Sequence, residues 1–429
     1  MSHPVKEILG GELGRNSAKL LGANVFAQAL GLLVYPLLTR MYSPTDFGLL
    51  NLFVNVGGVL VLISTFEYQY AVLLPKDEER SKAAMSLSVF LLLCFTGLLL
   101  LLLPARGFLA GLLNAEEASA SFVFLPLFVF LNGGWNILNM YFTRRKQYWA
   151  ISHYKVSNSL LQALLKIGFG CGGVLSLGLI YSSVIAPLLS AAGVMVFHLK
   201  SHFKEMFCFE KQTIRTVARE YRNFPVFSLP RSLVNSLGFA LPALMLTPFF
   251  GLSDLGYFSM AIALACGPLS MIAGSIQQVL FQQTTEMVNN GQSIVKRFHR
   301  LTFLTLTITI PLFVGLYFVL PPLVSWLLGA GWEITGEYIR LMLPWLLMIC
   351  LNGPVCFIAD VFMQQKVGLV FEIVILLGRV GGLLAGILTG SFAMAVCCYS
   401  IMSAVTLVFQ QAWFYYLIRK YELSIKGKN

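Results

Sequence analysis

Residues 39–75 read TRMYSPTDFGLLNLFVNVGGVLVLISTFEYQYAVLLP, a short polar turn followed by a long apolar run that ends at a proline. The turn recurs further along the chain, where residues 247–261 read TPFFGLSDLGYFSMA. The alignment pairs Thr39 with Thr247, Asp46 with Asp254 and Gly48 with Gly256. An element that recurs in one chain indicates internal duplication, which is common in transporters.

A second repeat supports the duplication. The sequence LNGGWNILNMYFTRRK begins at Leu131, and LNGPVCFIADVFMQQK begins at Leu351. This alignment pairs Asn132 with Asn352, Gly133 with Gly353 and Lys146 with Lys366. The second copy needs a longer connection at residues 281–300 than the first has at residues 76–82. We therefore predict two halves, residues 1–199 and 224–429, joined by a linker at residues 200–223.

The composition indicates a polytopic membrane protein. Hydrophobic residues make up 57% of the chain, charged residues only 11%, and the mean hydropathy is +0.77. Soluble domains carry about 25% charged residues. A spanning helix needs about 20 apolar residues. We predict an all-α fold with twelve transmembrane helices, centred near Ala29, Leu60, Leu93, Phe130, Leu164, Ile185, Ala240, Ala265, Ile310, Leu347, Leu376 and Val405. Twelve spans leave no room for a soluble domain.

The distribution of basic residues predicts the orientation, because short cytoplasmic loops are enriched in Lys and Arg. With the amino terminus inside, the outer loops hold only Arg40, Arg106 and Arg340 of the 30 Lys and Arg. Both termini are then cytoplasmic. The net charge of +11 reflects this topology and contact with anionic lipids of the inner leaflet. The chain has no nucleic-acid signature.

The linker and the cysteines have simpler interpretations. Basic and apolar residues alternate along residues 200–223, which suits an amphipathic helix on the inner leaflet, although a plain linker is equally compatible. The eight cysteines lie mostly within spans and have no CxxC spacing. They are expected to pack as small apolar residues, with no metal site or other cofactor.

Ionisable residues within the predicted spans are the strongest functional signal. Each costs upwards of about 2.5 kcal/mol in hydrocarbon, so it normally faces protein or water. Counted from the ends of their spans, Lys166 lies about 16 Å deep, Arg379 about 20 Å, and Arg231 and Glu67 about 12 Å each. Equal depth makes Arg231 and Glu67 a candidate ion pair. Gly378, Gly382 and Gly386 form a small-residue stripe beside Arg379, which should therefore point into the protein.

These charges suggest two roles. Arg231, Lys166 and Arg379 can receive an anionic group such as a phosphate. Asp360 and Glu372 share a depth of about 9 Å, so they would raise each other's proton affinity and form a coupling site for Na⁺ or H⁺, and Glu67 is a third coupling candidate. Internal ion pairs or snorkelling at the interface remain the alternatives for every one of these residues.

The segments TRMYSPTDFGLLNLF and EYQYAVLLP resemble the first two spans of the Wzx-like oligosaccharide flippases, the polysaccharide transporters of the MOP superfamily. The resemblance implies two pseudo-symmetric six-helix bundles, with spans one, two, seven and eight lining a cavity that opens alternately to each side. It places Glu67 and Arg231 in that cavity, Gln277 and Gln278 on its wall, and Lys166 and Arg379 further back. Where many members have Arg-Tyr-Glu, this chain has Glu67, Tyr68 and Gln69.

The resemblance implies a flippase that moves polyprenyl-diphosphate-linked oligosaccharide, such as O-antigen units of lipopolysaccharide, across the bacterial inner membrane, with glycan polymerases as partners. The chain has no GxxxxGK[ST] loop for ATP, so we expect an ion gradient to drive transport. One alternative is a MATE-like cation-coupled multidrug exporter. Another is a membrane-embedded polysaccharide polymerase, but the loops are short for an enzyme, and we expect no catalytic residues.

Overall fold

The structure, a computed structural model, describes residues 12–199, 206–208 and 210–426. The described residues form helices joined by short turns, with no strand among them. Predictions for residues 1–11, for linker residues 200–205 and 209, and for residues 427–429 lie outside this part of the chain. The chain divides into two compact units, Met1–Ser236 and Leu237–Asn429. This division falls within a helix, and the predicted boundaries around residues 200–223 stay a prediction.

The first unit contains nine complete helices and the start of a tenth. They are α1 (Glu12–Leu38), α2 (Pro44–Ser64), α3 (Glu78–Leu101), α4 (Arg106–Leu112), α5 (Ala118–Phe122), α6 (Leu125–Arg144), α7 (Tyr148–Cys171), α8 (Ser176–Val194) and α9 (Lys211–Glu220). A 3₁₀ helix, Tyr68–Leu73, follows α2. One π-helical turn, Met195–Leu199, follows α8, and another, Phe224–Ser228, precedes α10 (Leu229–Phe250).

The second unit takes over within α10 and continues to the end of the described chain. Its helices are α11 (Leu252–Asn289), α12 (Val295–Leu328), α13 (Glu333–Asn352), α14 (Ile358–Val361), α15 (Gln365–Leu388) and α16 (Phe392–Lys426). A short 3₁₀ turn, Gly353–Val355, extends α13.

The twelve predicted span centres all fall inside helices. Within the described ranges, nine helical stretches are long and apolar enough to cross a membrane. The other three centres lie in α1, whose apolar part is the shorter Gly22–Leu38, and in the more polar α6 and α7. An all-helical, multi-span membrane protein is therefore confirmed, while the number twelve stays a prediction.

The two copies of the polar turn make the same local bond. Thr39 Oγ1 donates a hydrogen bond to the Tyr35 carbonyl at 3.0 Å, and Thr247 Oγ1 donates to the Ala243 carbonyl at 2.5 Å. Both threonines are buried at the end of a helix, and each bonds the carbonyl four residues before it. A hydroxyl that returns to the i−4 carbonyl satisfies its own hydrogen-bonding needs within the helix. The aligned threonines therefore make the same hydrogen bond to the i−4 carbonyl in both units.

The glycines of the second repeat also have matching neighbours. A Cβ on Gly133 would lie 2.7 Å from Leu92 Cδ1 on α3 and 2.9 Å from Ser64 Oγ on α2, and a Cβ on Gly353 would lie 2.9 Å from Ala273 Cβ on α11. Helix α2 follows the first copy of the polar turn, and α11 contains most of the second. Each glycine thus lies against the helix that carries the repeated turn of its own unit, and Gly133 also lies against α3. The shared neighbour agrees with the duplication that the sequence indicates.

The closest helix packing in the second unit joins α15 to α16 along the predicted glycine stripe. A Cβ on Gly382 would lie 2.7 Å from the Cys398 carbonyl oxygen, and one on Gly386 would lie 2.1 Å from Ala395 Cα. Gly378 faces the Thr406 methyl group. Within lipid, helices associate through van der Waals packing, and small residues allow the backbones to approach. This stripe fixes the rotation of α15 and therefore turns Arg379 inward.

Three helices of the second unit are longer than a bilayer requires. Helices α11, α12 and α16 have 38, 34 and 35 residues, or about 57, 51 and 52 Å against a hydrocarbon core of about 30 Å. At their predicted cytoplasmic ends lies a buried apolar group, which we call the end cluster. Its members are Ile294, Phe298, Val355, Phe357, Ile358, Phe414, Leu417 and Ile418. Tyr421 Oη donates to the Val288 carbonyl at 3.0 Å beside it.

Gly386→Ala is expected to destabilise the protein by about 1–3 kcal/mol, because the new methyl group would overlap the α16 backbone, which cannot move aside as a side chain would. Thermal unfolding of the purified protein in detergent measures the loss. Gly381→Ala on the same helix is the matched control, since a Cβ there has no heavy atom within 4 Å. Equal unfolding temperatures for the two variants would contradict the close packing.

Candidate functional site

The buried carboxylate of Glu67 lies at a break in the second predicted span. Helix α2 begins with a capping box between Ser43 and Asp46 and ends at Ser64. Phe66 and Glu67 then take left-handed backbone conformations, with φ of 49° and 60°, before the 3₁₀ helix begins. Such conformations cost non-glycine residues of order 1–3 kcal/mol each. Glu67 is 2% exposed and forms no ion pair within the described residues, and it interacts electrostatically with Tyr70.

Arg231 does not pair with Glu67, so the predicted ion pair is wrong. Arg231 is exposed on α10, and no ion pair of the described residues contains it. The depth estimate treated the second span as one continuous helix and said nothing about the direction of either side chain. The break at Phe66 turns the chain, and equal depth no longer implies contact. Arg231 is left as an accessible cation on a predicted span.

Lys166 lies partly exposed on α7, beside an anchor made by Tyr42. Tyr42 Oη donates to the Lys166 carbonyl at 2.5 Å, and the Met41 methyl group and the Tyr42 ring fill the space that a side chain on Gly170 would need. The Lys166 ammonium forms no ion pair within the described chain. A second cation of the first unit therefore lacks a carboxylate partner among the described residues, and the backbone of its helix accepts a hydrogen bond from Tyr42.

Arg379 points into the protein, as the glycine stripe predicts, and is 8% exposed. Its Cζ lies 5.2 Å from the ring centre of Phe239, 5.6 Å from that of Trp345 and 5.8 Å from that of Tyr399. No described carboxylate forms an ion pair with it. Arg379 is thus a buried cation enclosed by aromatic rings from three helices.

The proposed coupling carboxylates lie close to one cysteine. Asp360 is exposed on α14 and Glu372 is partly buried on α15, and both lie near enough to the Cys356 thiol to interact with it electrostatically. Gln277 is partly buried on α11, while the Gln278 side chain lies outside the described set. All eight cysteines are free. The roles of Asp360, Glu372, Gln277 and Gln278 remain predictions.

Sequence analysis missed Arg144, which it counted only as one of the basic loop residues. Arg144 ends α6, and its Nη1 donates to the carbonyls of Val72 at 3.0 Å and Pro75 at 2.8 Å. Its Nε lies 3.8 Å from a Glu78 carboxylate oxygen. One side chain therefore holds both the 3₁₀ helix after Glu67 and the start of α3. In the aligned second copy the residue at this position is Gln364. The arginine charge is therefore present in only one copy, and that difference was the sequence signal for Arg144.

Known proteins match this chain over most of its length. The profile of a family described as "Polysaccharide biosynthesis protein" matches residues 37–335. The succinoglycan biosynthesis transport protein ExoT of Rhizobium meliloti (strain 1021) is 22% identical over 391 residues, which are 87% of this chain and 74% of that protein.

Two solved structures share the fold. The lipid II flippase MurJ in an inward closed conformation superposes with a TM-score of 0.74 at 10% identity, covering 96% of this chain and 92% of that one. An inward-facing multidrug resistance transporter of the MATE family superposes with a TM-score of 0.58 at 13% identity, covering 94% and 95%. At such identities the likeness shows the fold, with both structures drawn from multi-span membrane transporters.

Arg144→Gln is expected to destabilise the first unit by about 1–3 kcal/mol, because two carbonyls lose a charged hydrogen-bond donor. Limited proteolysis should then cleave residues 68–78 faster than in the unchanged protein. Arg145→Gln is the control, since Arg145 bonds the exposed Glu78 carboxylate at 2.6 Å and lies over the Tyr141 ring but donates to neither carbonyl, and exposed pairs contribute little. Unchanged cleavage in Arg144→Gln would show that the two carbonyl bonds do not hold the segment.

Proposed function

The chain belongs to the family of polysaccharide biosynthesis proteins, and we propose that it is a flippase for polyprenyl-diphosphate-linked oligosaccharide units. The transport role in the name of the 22% identical relative and the flippase fold at a TM-score of 0.74 both support this proposal. The family match over residues 37–335 carries it. On this proposal the protein moves its substrate without chemical change, and it is not an enzyme.

The charges of the first unit suit such a substrate. A diphosphate group is anionic, and a planar guanidinium binds phosphate oxygens in a bidentate manner. Arg231 is exposed and lacks a carboxylate partner among the described residues, so it is free to bind phosphate. Lys166 supplies a second unpaired cation. We assign the diphosphate to Arg231 first, and we keep Glu67 of the first unit and Gln277 and Gln278 of the second as separate candidate substrate contacts.

The proposed mechanism is alternating access between two six-helix bundles, one from each copy. Coupling to Na⁺ or H⁺ is assigned to Glu372 and Asp360, with Glu67 as a third candidate. The two carboxylates near Cys356 lie on neighbouring helices, so binding a cation between them would draw α14 and α15 together. Each ligand can shift the equilibrium only by the difference in its affinity for the two states.

We place the protein in the bacterial inner membrane with both termini in the cytoplasm, and we propose anionic lipids as partners of α9. This helix is anchored by buried Val217, by the Tyr68 hydroxyl bond to the Ala218 carbonyl at 2.9 Å, and by Arg80 and Glu220 at 3.5 Å. The basic residues that remain exposed lie one turn apart on one side of the helix. They are Lys211, Arg215 and Arg219. A glycan polymerase is the expected protein partner.

Arg231→Gln is expected to reduce flipping at least about tenfold, because a diphosphate loses a charge-assisted contact worth about 1.5–3 kcal/mol. The measurement follows the leaflet in which labelled lipid-linked oligosaccharide resides in membrane vesicles. Arg106→Gln removes an exposed arginine from the start of the short helix α4, in a predicted outer connection, and should flip at the normal rate.

Normal flipping by Arg231→Gln at equal protein level would remove Arg231 from the site. A deletion strain should lose surface glycan and keep its ordinary drug susceptibility. The opposite pair of results would favour a multidrug exporter with this fold. A polymerase would instead leave the lipid-linked unit in the outer leaflet but unextended.

Replacing Lys211, Arg215 and Arg219 together with Gln is expected to weaken the attraction of α9 for anionic lipid by about 1 kcal/mol per charge. Flipping by the reconstituted protein should then respond less to the fraction of phosphatidylglycerol. Arg80→Gln is the control, since Arg80 already pairs with Glu220. A triple variant with an unchanged lipid response would contradict the lipid contact.

A further inference from the structure

Arg379 is the most enclosed cation of the described chain that lacks a carboxylate partner. Phe239 of α10, Trp345 of α13 and Tyr399 of α16 surround its guanidinium, and Trp345 and Tyr399 are almost wholly buried. We call these four residues the arginine box. Its fourth side is closed by backbone, because a Cβ on Gly238 would lie 2.7 Å from Arg379 Nη1. The box lies entirely within the second unit.

Two N–H groups of the arginine box have no hydrogen-bond acceptor among the described protein atoms. They are Arg379 Nε and Trp345 Nε1, and both are buried. The ring faces attract the guanidinium as a cation, but a ring face does not replace an acceptor in the plane of the guanidinium. The Tyr399 hydroxyl donates to the Gly238 carbonyl at 3.4 Å, so Tyr399 is already engaged. A buried positive charge and two unused donors therefore lie together.

We propose that the arginine box binds one small inorganic anion, of the chloride class, and that the anion is a built-in part of the second unit. A buried charge without a counter-charge is strongly destabilising, and an anion held by Arg379 Nε and Trp345 Nε1 supplies both the counter-charge and the acceptor. A monatomic anion suits donors that approach from different helices, because it imposes no direction on them.

The enclosure argues against the lipid-linked substrate as the ligand of Arg379. Arg379 is 8% exposed, covered by buried Trp345 and Tyr399, by the Gly238 backbone and by Phe239, whose own outer side is exposed. A diphosphate carrying sugars and a polyprenyl chain requires an open path, which the exposed Arg231 of the first unit offers and Arg379 does not. The anion site thus goes beyond the proposed function, and it reassigns a residue that sequence analysis grouped with the substrate contacts.

Thermal unfolding of the full-length protein in detergent tests the proposal. The protein is compared in sodium chloride and sodium gluconate of equal ionic strength, so that only the small anion changes. We expect the unfolding temperature to be several degrees higher in chloride and to rise with chloride concentration, because a ligand that binds only the folded state stabilises it. No difference between the two salts would overturn the proposal.

Two variants locate the effect. Trp345→Phe keeps the ring but removes the Nε1 donor, and it should need about tenfold more chloride for the same shift, as expected for the loss of one hydrogen bond to an anion. Arg379→Met should lose the chloride response altogether. If Arg379→Met does not fold, the test rests on Trp345→Phe. An unchanged chloride response in that variant would overturn the proposed anion site.

Arg340→Gln is the matched control. Arg340 also lies over an aromatic ring, with its Cζ 4.3 Å from the centre of Tyr317, but it pairs with Glu337 at 3.0 Å. Its loss should leave the chloride response intact. Sodium pyrophosphate gives a further arm. Stabilisation by pyrophosphate, lost in Trp345→Phe, without any effect of chloride would show that the box takes a diphosphate and would overturn the assignment of a small anion.

Discussion

Bilayer hydrocarbon offers a peptide group no hydrogen-bond partner, and every long element of this protein follows from that constraint. A helix satisfies the hydrogen bonds of its own backbone, so side chains determine only how the helices pack together. Where the carbonyls of a helix end are left free, a side chain must reach them. Arg144 does so after the break at Glu67, with bonds to the carbonyls of Val72 and Pro75. Thr39 and Thr247 instead satisfy their own hydroxyls by donating to carbonyls of their own helices.

The cations show three different solutions to the cost of charge in a membrane protein. The Arg231 side chain is exposed. The Lys166 side chain is partly buried on α7, whose backbone accepts a hydrogen bond from Tyr42. Arg379 is enclosed by rings whose faces carry negative potential. These environments separate residues that look alike in sequence. An accessible cation suits a substrate that comes and goes, and an enclosed one suits a permanent partner.

Patterns with local causes could be predicted from the sequence. The span centres, the repeated turn and the inward direction of Arg379 all follow from apolar runs, cap residues and a glycine stripe. The predicted pair of Glu67 and Arg231 failed because depth along a helix does not specify rotation, and because two left-handed residues interrupt the span. The sequence signal for Arg144 was a charge that the second copy lacks, but the carbonyls that it bonds had no signal, since backbone carbonyls are the same at every position. The aromatic rings around Arg379 come from three separate helices. A sequence pattern within one helix does not show which residues of other helices lie beside it.

The end cluster of the second unit has a different driving force from the helices that continue into lipid. On the predicted topology, buried Ile294, Phe357 and Phe414 lie at the cytoplasmic ends of the long helices, so water is the medium from which they are withdrawn. Burial from water carries a large heat-capacity change and weakens on cooling and in urea, whereas packing against lipid does not depend on water in this way. Cold or mild urea should therefore open this end of the second unit first and leave the membrane-embedded helices paired.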